Sequence, residues 1–166
     1  MFDLCEELKV DKLYISHLVY SGRGKDNLEI DISKEQRKEY VEFIIDKAFE
    51  YYKNGNNIDL VTGNMEMDAI MLLNRFKKEY PDFVETLEEK LKTWGGNSAG
   101  HRLGNMDWAG NVKPDPFFPF VVGNYLQTPF DEIWTSTSNE ILNKLREHPR
   151  QIKGRCAQCK YIDICN

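Results

Sequence analysis

KLYISHLV, residues 12–19, is an almost continuous run of apolar and β-prone residues, which predicts a strand covered on both faces, as in a parallel sheet. A polar loop containing glycines follows at residues 20–27. A helix is predicted from Ser33, because Gln36 three residues later completes a capping box. A second strand is predicted at residues 58–62, followed by a turn and another helix. Strand, helix, strand and helix form a pair of βα units, so the predicted fold class is α/β.

Polar residues cluster where the two predicted strands end. Parallel strands place binding and catalytic groups in the loops after their C-terminal ends. Here those loops contain Ser16 and His17, a glycine-containing segment with Arg23, and the Gly63-Asn64 turn. One interpretation is a ligand site shared by adjacent loops. The alternative is that the glycines only permit turns, while His17 and Arg23 satisfy local carbonyl and carboxylate groups.

Two strands alone do not close a barrel or cover a parallel sheet. The sequence therefore predicts that the chain either pairs with another copy or forms the end of a longer protein. The function expected of the chain therefore depends on which of these two arrangements holds.

Composition excludes several functional classes. The 166 residues are 41% hydrophobic and 30% charged, with net charge −5 and a pI near 5.3. The acidic balance argues against nonspecific binding to nucleic acid or to anionic membrane. No apolar run is long enough to predict a membrane-spanning helix, and the first residues do not resemble a secretion signal. Four cysteines without an export signal favour a cytoplasmic protein over a disulfide framework.

Charge and composition change along the chain and predict two domains. Residues 1–93 carry 20 acidic and 14 basic side chains, whereas residues 94–166 carry 7 acidic and 8 basic ones. All three tryptophans and three of the four cysteines follow residue 93. The boundary is expected near the Gly95-Gly96 pair. In the second part, residues 101–115 are predicted to form a β-hairpin, and a basic stretch precedes the C-terminus.

The final residues, CAQCKYIDICN, contain the spacing C-x2-C-x5-C at Cys156, Cys159 and Cys165. A two-residue gap allows two thiolates to converge on one metal or cluster, and three thiolates beside basic residues suit a soft, electron-rich site. A zinc site normally takes four ligands. The fourth ligand stays open, and unligated thiols or a redox pair are the alternative. Candidates for the fourth ligand are His101, His148, Asp163 or a residue beyond Asn166.

Six motifs in this order resemble the C-terminal half of a radical S-adenosylmethionine (AdoMet) enzyme with a SPASM-type extension. The closest similarity is to the branch that remodels siroheme-derived tetrapyrroles in haem biosynthesis. The motifs are ISHLVYSGRG, DLVTGN, GGNSAG, GNMDWAGNVKPD, TPFDEIW and GRCAQCKYIDIC.

The resemblance implies that residues 1–93 contribute C-terminal βα units to a partial (β/α) barrel. It implies that residues 94–166 form a small, loop-rich SPASM-like extension. Cys156, Cys159 and Cys165 match ligands of an auxiliary 4Fe–4S cluster. The implied partners are AdoMet, a tetrapyrrole substrate, and a missing N-terminal part of the enzyme or a split-gene partner. The residues implied to face AdoMet or the porphyrin are Ser16, His17, Arg23, Gly63 and Asn64.

The resemblance also implies a role for basic side chains of the second part. They are expected either to bind the carboxylates of the substrate by charge-assisted hydrogen bonds or to sit as solvated cations near helix C-termini. These residues are Arg102, Lys113, Arg146, Arg150, Lys153 and Arg155.

Two departures from the family pattern shape the prediction. The CxxxCxxC motif of the catalytic cluster is absent, since Cys5 is the only cysteine before Cys156, and the chain alone is therefore predicted to be inactive. Asn97 and Asp115 stand where many SPASM proteins have cysteines of a second auxiliary cluster. The alternatives are a SPASM enzyme that modifies a ribosomal peptide, and a small zinc-binding interaction module without catalytic chemistry.

Overall fold

A computed structural model describes residues 1–63 and 65–165 of the chain. Contacts divide it into two compact units, Met1–Leu87 and Glu88–Asn166. The division falls after residue 87, within a helix, whereas the sequence-based boundary was placed after residue 93. Every helix in the described part of the chain is too short or too polar to span a bilayer.

The first unit alternates helices and strands. Its regular elements are α1 (Phe2–Glu7), β1 (Lys12–Ser16), a 3₁₀ helix (Gly22–Ile30), α2 (Lys34–Lys53), β2 (Asp59–Gly63), α3 (Met67–Glu79) and a second 3₁₀ helix (Pro81–Phe83). Helix α4 (Val84–Trp94) begins in this unit.

The two strands of the first unit are parallel, as the βα pattern predicted. Their register pairs Lys12 with Asp59 and Ser16 with Gly63. Among the described residues they form a two-stranded sheet, so the barrel that the resemblance implies stays a prediction. Helix α2 begins at the predicted capping box: the Ser33 side chain accepts from the Gln36 N–H, and the Gln36 side chain accepts from the Ser33 N–H.

The core of the first unit lies between α2, α3 and β2. The capping box fixes where α2 begins, and the helical spacing of its apolar residues places them on one face, where they are removed from water. Helix α3 contributes its own apolar face, with Leu73 completely buried. The buried hydrophobic residues of these elements are Val41, Ile44, Ile45, Tyr51, Ile58, Ile70 and Leu73.

The second unit contains a small antiparallel sheet and short helices. Its elements after α4 are β3 (Asn105–Met106), β4 (Asn111–Lys113), β5 (Gly123–Asn124), α5 (Phe130–Thr135), α6 (Glu140–Arg146), a 3₁₀ helix (Gly154–Gln158) and α7 (Ile162–Cys165). The sheet order is β3-β4-β5. The hairpin predicted within residues 101–115 is confirmed, with β3 and β4 as its two antiparallel strands.

Two details of the second unit go beyond the sequence analysis. Helix α6 begins at Glu140, where the Asn139 side chain accepts a hydrogen bond from the Leu142 N–H and acts as the N-cap. Strand β5 was not expected. It packs closely on α5, since a Cβ atom added at Gly123 would lie 2.7 Å from the Ile133 side chain. Val112 and Leu142 are completely buried in this core.

Candidate functional site

The C-terminal ends of β1 and β2 bring three of the predicted site residues to one edge. Ser16 is the register partner of Gly63, and the backbone N–H of His17 donates to the Gly63 carbonyl oxygen at 3.1 Å. Ser16, His17 and Gly63 therefore lie side by side, as expected for a parallel pair. Asn64, predicted with them, lies outside the described residues.

A cavity of about 260 Å³ opens beside these strand ends. Its polar lining comes from the ends of both strands, from α2 and from the segment that leads into α2. Isoleucine and leucine side chains complete the walls. This mixture of apolar walls with a few polar groups is typical of a small-molecule site. The polar lining residues are Ser16, His17, Asp31, Arg37, Tyr40 and Thr62.

A buried ionic hydrogen bond fixes His17. Its Nε2 atom lies 2.8 Å from Oδ2 of Asp68, and the two side chains are only 9% and 8% exposed. Asp68 stands in the first turn of α3, where a carboxylate is favoured by the helix dipole. The Asp68 Oδ1 atom has no hydrogen-bond partner among the described residues. Because Nε2 is bonded to a carboxylate, His17 is held in one orientation, and this nitrogen is not available to ligate iron.

A second ionic pair lines the cavity on the side of α2. Arg37 Nη2 donates to Oδ2 of Asp31 at 2.5 Å, and the Tyr20 hydroxyl donates to the same carboxylate. The hydrogen bond from Tyr20 lowers the pKa of Asp31 below its ordinary value, assisted by the Ile32 N–H and by Arg37 against an opposing effect of burial. Asp31 therefore stays ionised. The buried Nε of Arg37 has no partner among the described residues and is a hydrogen-bond donor for a bound group.

Arg23 lies apart from the strand-end cavity, whose lining does not include it. It is exposed on the 3₁₀ helix Gly22–Ile30, where its carbonyl oxygen accepts from the Asn27 side chain at 2.8 Å. A Cβ atom added at Gly24 would lie 2.1 Å from the carbonyl oxygen of Val19. The glycine therefore permits a close return of the backbone, which accounts for its presence in this turn.

Three residues of this site were not singled out from the sequence. Asp68 gives a weak signal, as an acidic residue in the first helical turn after a strand end. Asp31 and Arg37 flank the capping box, and nothing in their spacing predicts that they bond to each other. Contacts between side chains distant in sequence, such as His17 and Asp68, leave no periodic pattern.

The three C-terminal cysteines lie on two consecutive turns. Cys156 belongs to the 3₁₀ helix Gly154–Gln158, and the N–H of Cys159 donates to the Cys156 carbonyl oxygen at 3.1 Å. Cys165 ends α7, next to the buried Ile164. The Cys156 and Cys159 residues are exposed, Cys165 is half-buried, and none of them forms a disulfide.

The donor chemistry of this segment suits a soft metal or an iron–sulfur cluster, since thiols on a tight turn are its usual ligands. Across residues 1–63 and 65–165, however, no three Cys, His, Asp or Glu side chains are placed to share one metal ion. A complete ligand set is thus not formed by the described residues. The assignment of Cys156, Cys159 and Cys165 stays a prediction.

Comparison with known proteins gives three relatives. Pre-heme d1 synthase of Dinoroseobacter shibae is 38% identical over 168 residues, which cover 99% of this chain and 41% of that protein. Fe-coproporphyrin III synthase of Methanosarcina barkeri is 34% identical over 170 residues, covering 100% of this chain and 43% of that protein. AdoMet-dependent heme synthase of the same organism is 28% identical, with 99% and 44% covered.

The chain thus spans about two fifths of the length of the curated relatives it matches. No protein-family model matches it, and no solved structure matches it.

Proposed function

Because the chain is homologous along its whole length to part of these haem-biosynthesis enzymes, we propose that it forms part of an enzyme that uses AdoMet to modify a siroheme-derived tetrapyrrole. The observation that carries this proposal is the 38% identity to pre-heme d1 synthase over 168 residues. The activity needs the part of the relatives that this chain does not span, supplied by the same polypeptide or by a second one.

In this proposal the strand-end cavity of the first unit receives AdoMet or an edge of the tetrapyrrole. Its volume of about 260 Å³ is smaller than a pocket for a whole drug-sized ligand, which is typically about 300–1,000 Å³. The cavity therefore takes part of a ligand. Ser16 and the Arg37 Nε–H supply hydrogen bonds to the ligand. His17 forms part of the cavity wall in a fixed orientation, because it is hydrogen-bonded to Asp68.

In the second unit, Cys156, Cys159 and Cys165 would hold the auxiliary 4Fe–4S cluster, which supplies one-electron transfer when bound. The exposed thiols of Cys156 and Cys159 are accessible to iron. The same segment carries three basic residues, Lys153, Arg155 and Lys160. Neighbouring cations favour the thiolate form of cysteine, which is the form that binds metal.

Anaerobic reconstitution with iron and sulfide tests the cluster assignment. We expect the full chain to gain broad visible absorption and bound iron, and the Cys156→Ala, Cys159→Ala and Cys165→Ala variants to lose both. Cys5→Ala is the matched control and should keep them, because Cys5 lies in α1 of the first unit. Unchanged iron in the three variants would refute the ligand assignment, and a colourless protein with stoichiometric zinc would favour a zinc-binding module.

A chimera tests the enzymatic proposal. The chain replaces the homologous 41% of the Dinoroseobacter shibae relative, and AdoMet cleavage is measured with and without a siroheme-derived tetrapyrrole. We expect cleavage that depends on the tetrapyrrole. A chimera that folds and binds AdoMet but never responds to a tetrapyrrole would contradict the proposal.

A further inference from the structure

A second cavity, of about 210 Å³, lies within the second unit and is surrounded by basic side chains. It is formed where the C-terminal turn of α4, the loop before β3 and the end of α6 meet. Glu147 is the carboxylate among its lining residues. The basic lining residues are Lys92, His101, Arg102, Arg146, His148 and Arg150.

Neutral backbone carbonyl groups hold the three arginines in place. Arg102 donates from Nη1 to the Trp94 carbonyl oxygen at 2.9 Å and from Nη2 to that of Thr93 at 3.0 Å. Arg146 donates from Nε to Gly100 at 2.8 Å. Arg150 donates from Nε to the Leu145 carbonyl oxygen and from Nη2 to that of Asn97, both at 2.6 Å. These bonds orient the guanidinium groups without cancelling their charge.

Arg146 is held by two contacts of different kinds. Besides its bond to Gly100, its guanidinium carbon lies 5.0 Å from the ring centroid of Trp134, a cation–π contact that restricts the position of the group. A guanidinium group has five N–H donors. One is bonded to a carbonyl here, and the two Nη groups form no hydrogen bond among the described residues. Arg146 therefore has a planar pair of donors available for an anion.

The charge of the cavity is positive after its ion pairs are counted. Lys92 is neutralised locally by Glu88, since Nζ lies 2.9 Å from Oε1, and this hydrogen bond raises the pKa of the lysine. Arg102 and Arg146 form no ion pair among the described residues. Among the described lining residues, Glu147 is the one carboxylate near these guanidinium groups. Like charges around one cavity repel each other, and a bound anion relieves that repulsion.

Building on the proposed function, we infer that this cavity binds a carboxylate side chain of the tetrapyrrole, with Arg102 and Arg146 donating the charge-assisted hydrogen bonds. The planar fork of arginine matches the geometry of a carboxylate. At about 210 Å³ the cavity is below the roughly 300–1,000 Å³ of whole-ligand pockets, so it accepts a side chain and leaves the macrocycle outside. Arg150 acts as a positioning residue for the loop at Asn97.

The test is a fluorescence titration of the full chain with coproporphyrin III, a soluble tetracarboxylate tetrapyrrole. Its tetramethyl ester, which lacks free carboxylates, and tricarballylate, a free tricarboxylate, are titrated in the same detergent-containing buffer. We expect coproporphyrin III to bind more tightly than the ester, with an affinity that falls as salt rises. Arg146→Gln and Arg102→Gln should each weaken binding about tenfold or more, the usual effect of losing a charged hydrogen bond.

Two further variants separate binding from folding. Lys144→Gln removes the same charge from the exposed face of α6 and should leave the affinity unchanged. Glu147→Gln removes the opposing carboxylate and should tighten coproporphyrin III binding about two- to fivefold, the scale of an exposed charge interaction. A purely structural role of the arginines predicts no effect of the Glu147 substitution.

The outcomes distinguish this inference from the proposed function. If coproporphyrin III binds equally to the wild-type, Arg102→Gln, Arg146→Gln and Glu147→Gln chains, the cavity assignment is wrong while tetrapyrrole binding stands. If tricarballylate binds through Arg146 but coproporphyrin III does not bind, the carboxylate cavity stands and the tetrapyrrole proposal fails. Equal binding of the ester, or no binding of either carboxylate probe, overturns the inference.

Discussion

Breaking the contact between His17 and Asp68 should destabilise the first unit by more than any exposed ion pair does. The two side chains are 9% and 8% exposed, and their bonded atoms are 2.8 Å apart. Hydrogen bonds to charged groups contribute about 1.5–3 kcal/mol, whereas exposed ion pairs contribute about 0.2–1 kcal/mol. We therefore expect a double-mutant cycle of His17→Ala and Asp68→Ala to give a coupling energy of about 1.5–3 kcal/mol.

Lys12 and Asp59 provide the matched control, because they pair at the opposite end of the same two strands. Their charged atoms are 3.8 Å apart and their side chains are 57% and 71% exposed. A cycle of Lys12→Ala and Asp59→Ala should give about 0–1 kcal/mol. The contrast measures the combined effect of burial and of the shorter contact, since each cycle joins a nitrogen-bearing side chain to an aspartate at one end of β1.

Hydrogen–deuterium exchange of the peptide that covers β1 measures both cycles. A coupling of about 1.5–3 kcal/mol corresponds to a change of roughly ten- to 150-fold in the opening equilibrium. All three tryptophans lie in the second unit, so an unchanged tryptophan fluorescence confirms that this unit is intact in the variants. A coupling energy below about 0.5 kcal/mol for His17 and Asp68 would refute the reasoning.

Three further predictions concern local structure. Ser33→Ala removes the acceptor of the capping box and should cost the first unit about 1 kcal/mol in urea unfolding. Gly24→Ala places a Cβ 2.1 Å from the Val19 carbonyl oxygen, so the loop should lose protection from hydrogen exchange. Asp107 accepts from the Asn111 side chain and backbone, which lowers its pKa; Asp107→Asn should therefore lower the unfolding midpoint of the second unit at pH 7, a loss that shrinks as the pH falls through the lowered pKa.

The sign of the pH effect follows from linkage. A carboxylate whose pKa is lowered by folding stabilises the protein above its unfolded pKa, and this contribution is lost as the pH falls through the folded value. An Asp107→Asn deficit that stays the same size from pH 7 to the most acid pH at which the unit is folded would contradict the assignment. For the glycine, Gly55→Ala is the control: its added Cβ meets nothing within 4 Å, and the cost should be limited to the roughly 1–2 kcal/mol of a left-handed backbone. Equal losses at Gly24 and Gly55 would argue against the steric explanation.

Local sequence patterns were sufficient to predict the βα units of the first unit. Ser33 and Gln36 form both hydrogen bonds of the predicted capping box, and α2 ends at Lys53, directly before Asn54 and Gly55, a typical helix stop signal. The strand at residues 12–19 was placed correctly but is shorter than expected, ending at Ser16. These features depend on interactions within a few residues, which spacing in the sequence records directly.

Features that depend on distant packing were missed. Strand β5 contains Gly123, a residue with low strand propensity, and it forms because the glycine allows Ile133 to approach its backbone. The segment Gly22–Ile30 was expected to be an irregular loop and is a 3₁₀ helix with a break at Asn27. For β5 the deciding contact joins Gly123 and Ile133, whose proximity no local pattern encodes.

The candidate site was predictable in position but not in detail. Parallel pairing alone brings Ser16, His17 and Gly63 together, whereas the partner of His17 is 51 residues away. The resemblance of the ordered motifs to haem-biosynthesis enzymes is confirmed by the three relatives. The cysteine ligand set stays a prediction, because a metal centre gathers its ligands through atoms that the polypeptide does not contain.

Each carbonyl-bound arginine of the second unit has two roles: its charge contributes to the cavity, and its hydrogen bonds hold the backbone of a neighbouring segment. Replacing Arg146 would lower the positive charge of the cavity and would also release the loop at Gly100, to which its Nε is bonded. Distant homologues that have lost the ligand would therefore still retain this arginine for stability. Within the described part of the chain the Glu147 side chain forms no hydrogen bond or ion pair, so the residue at position 147 is the better evolutionary record of whether an anion is bound.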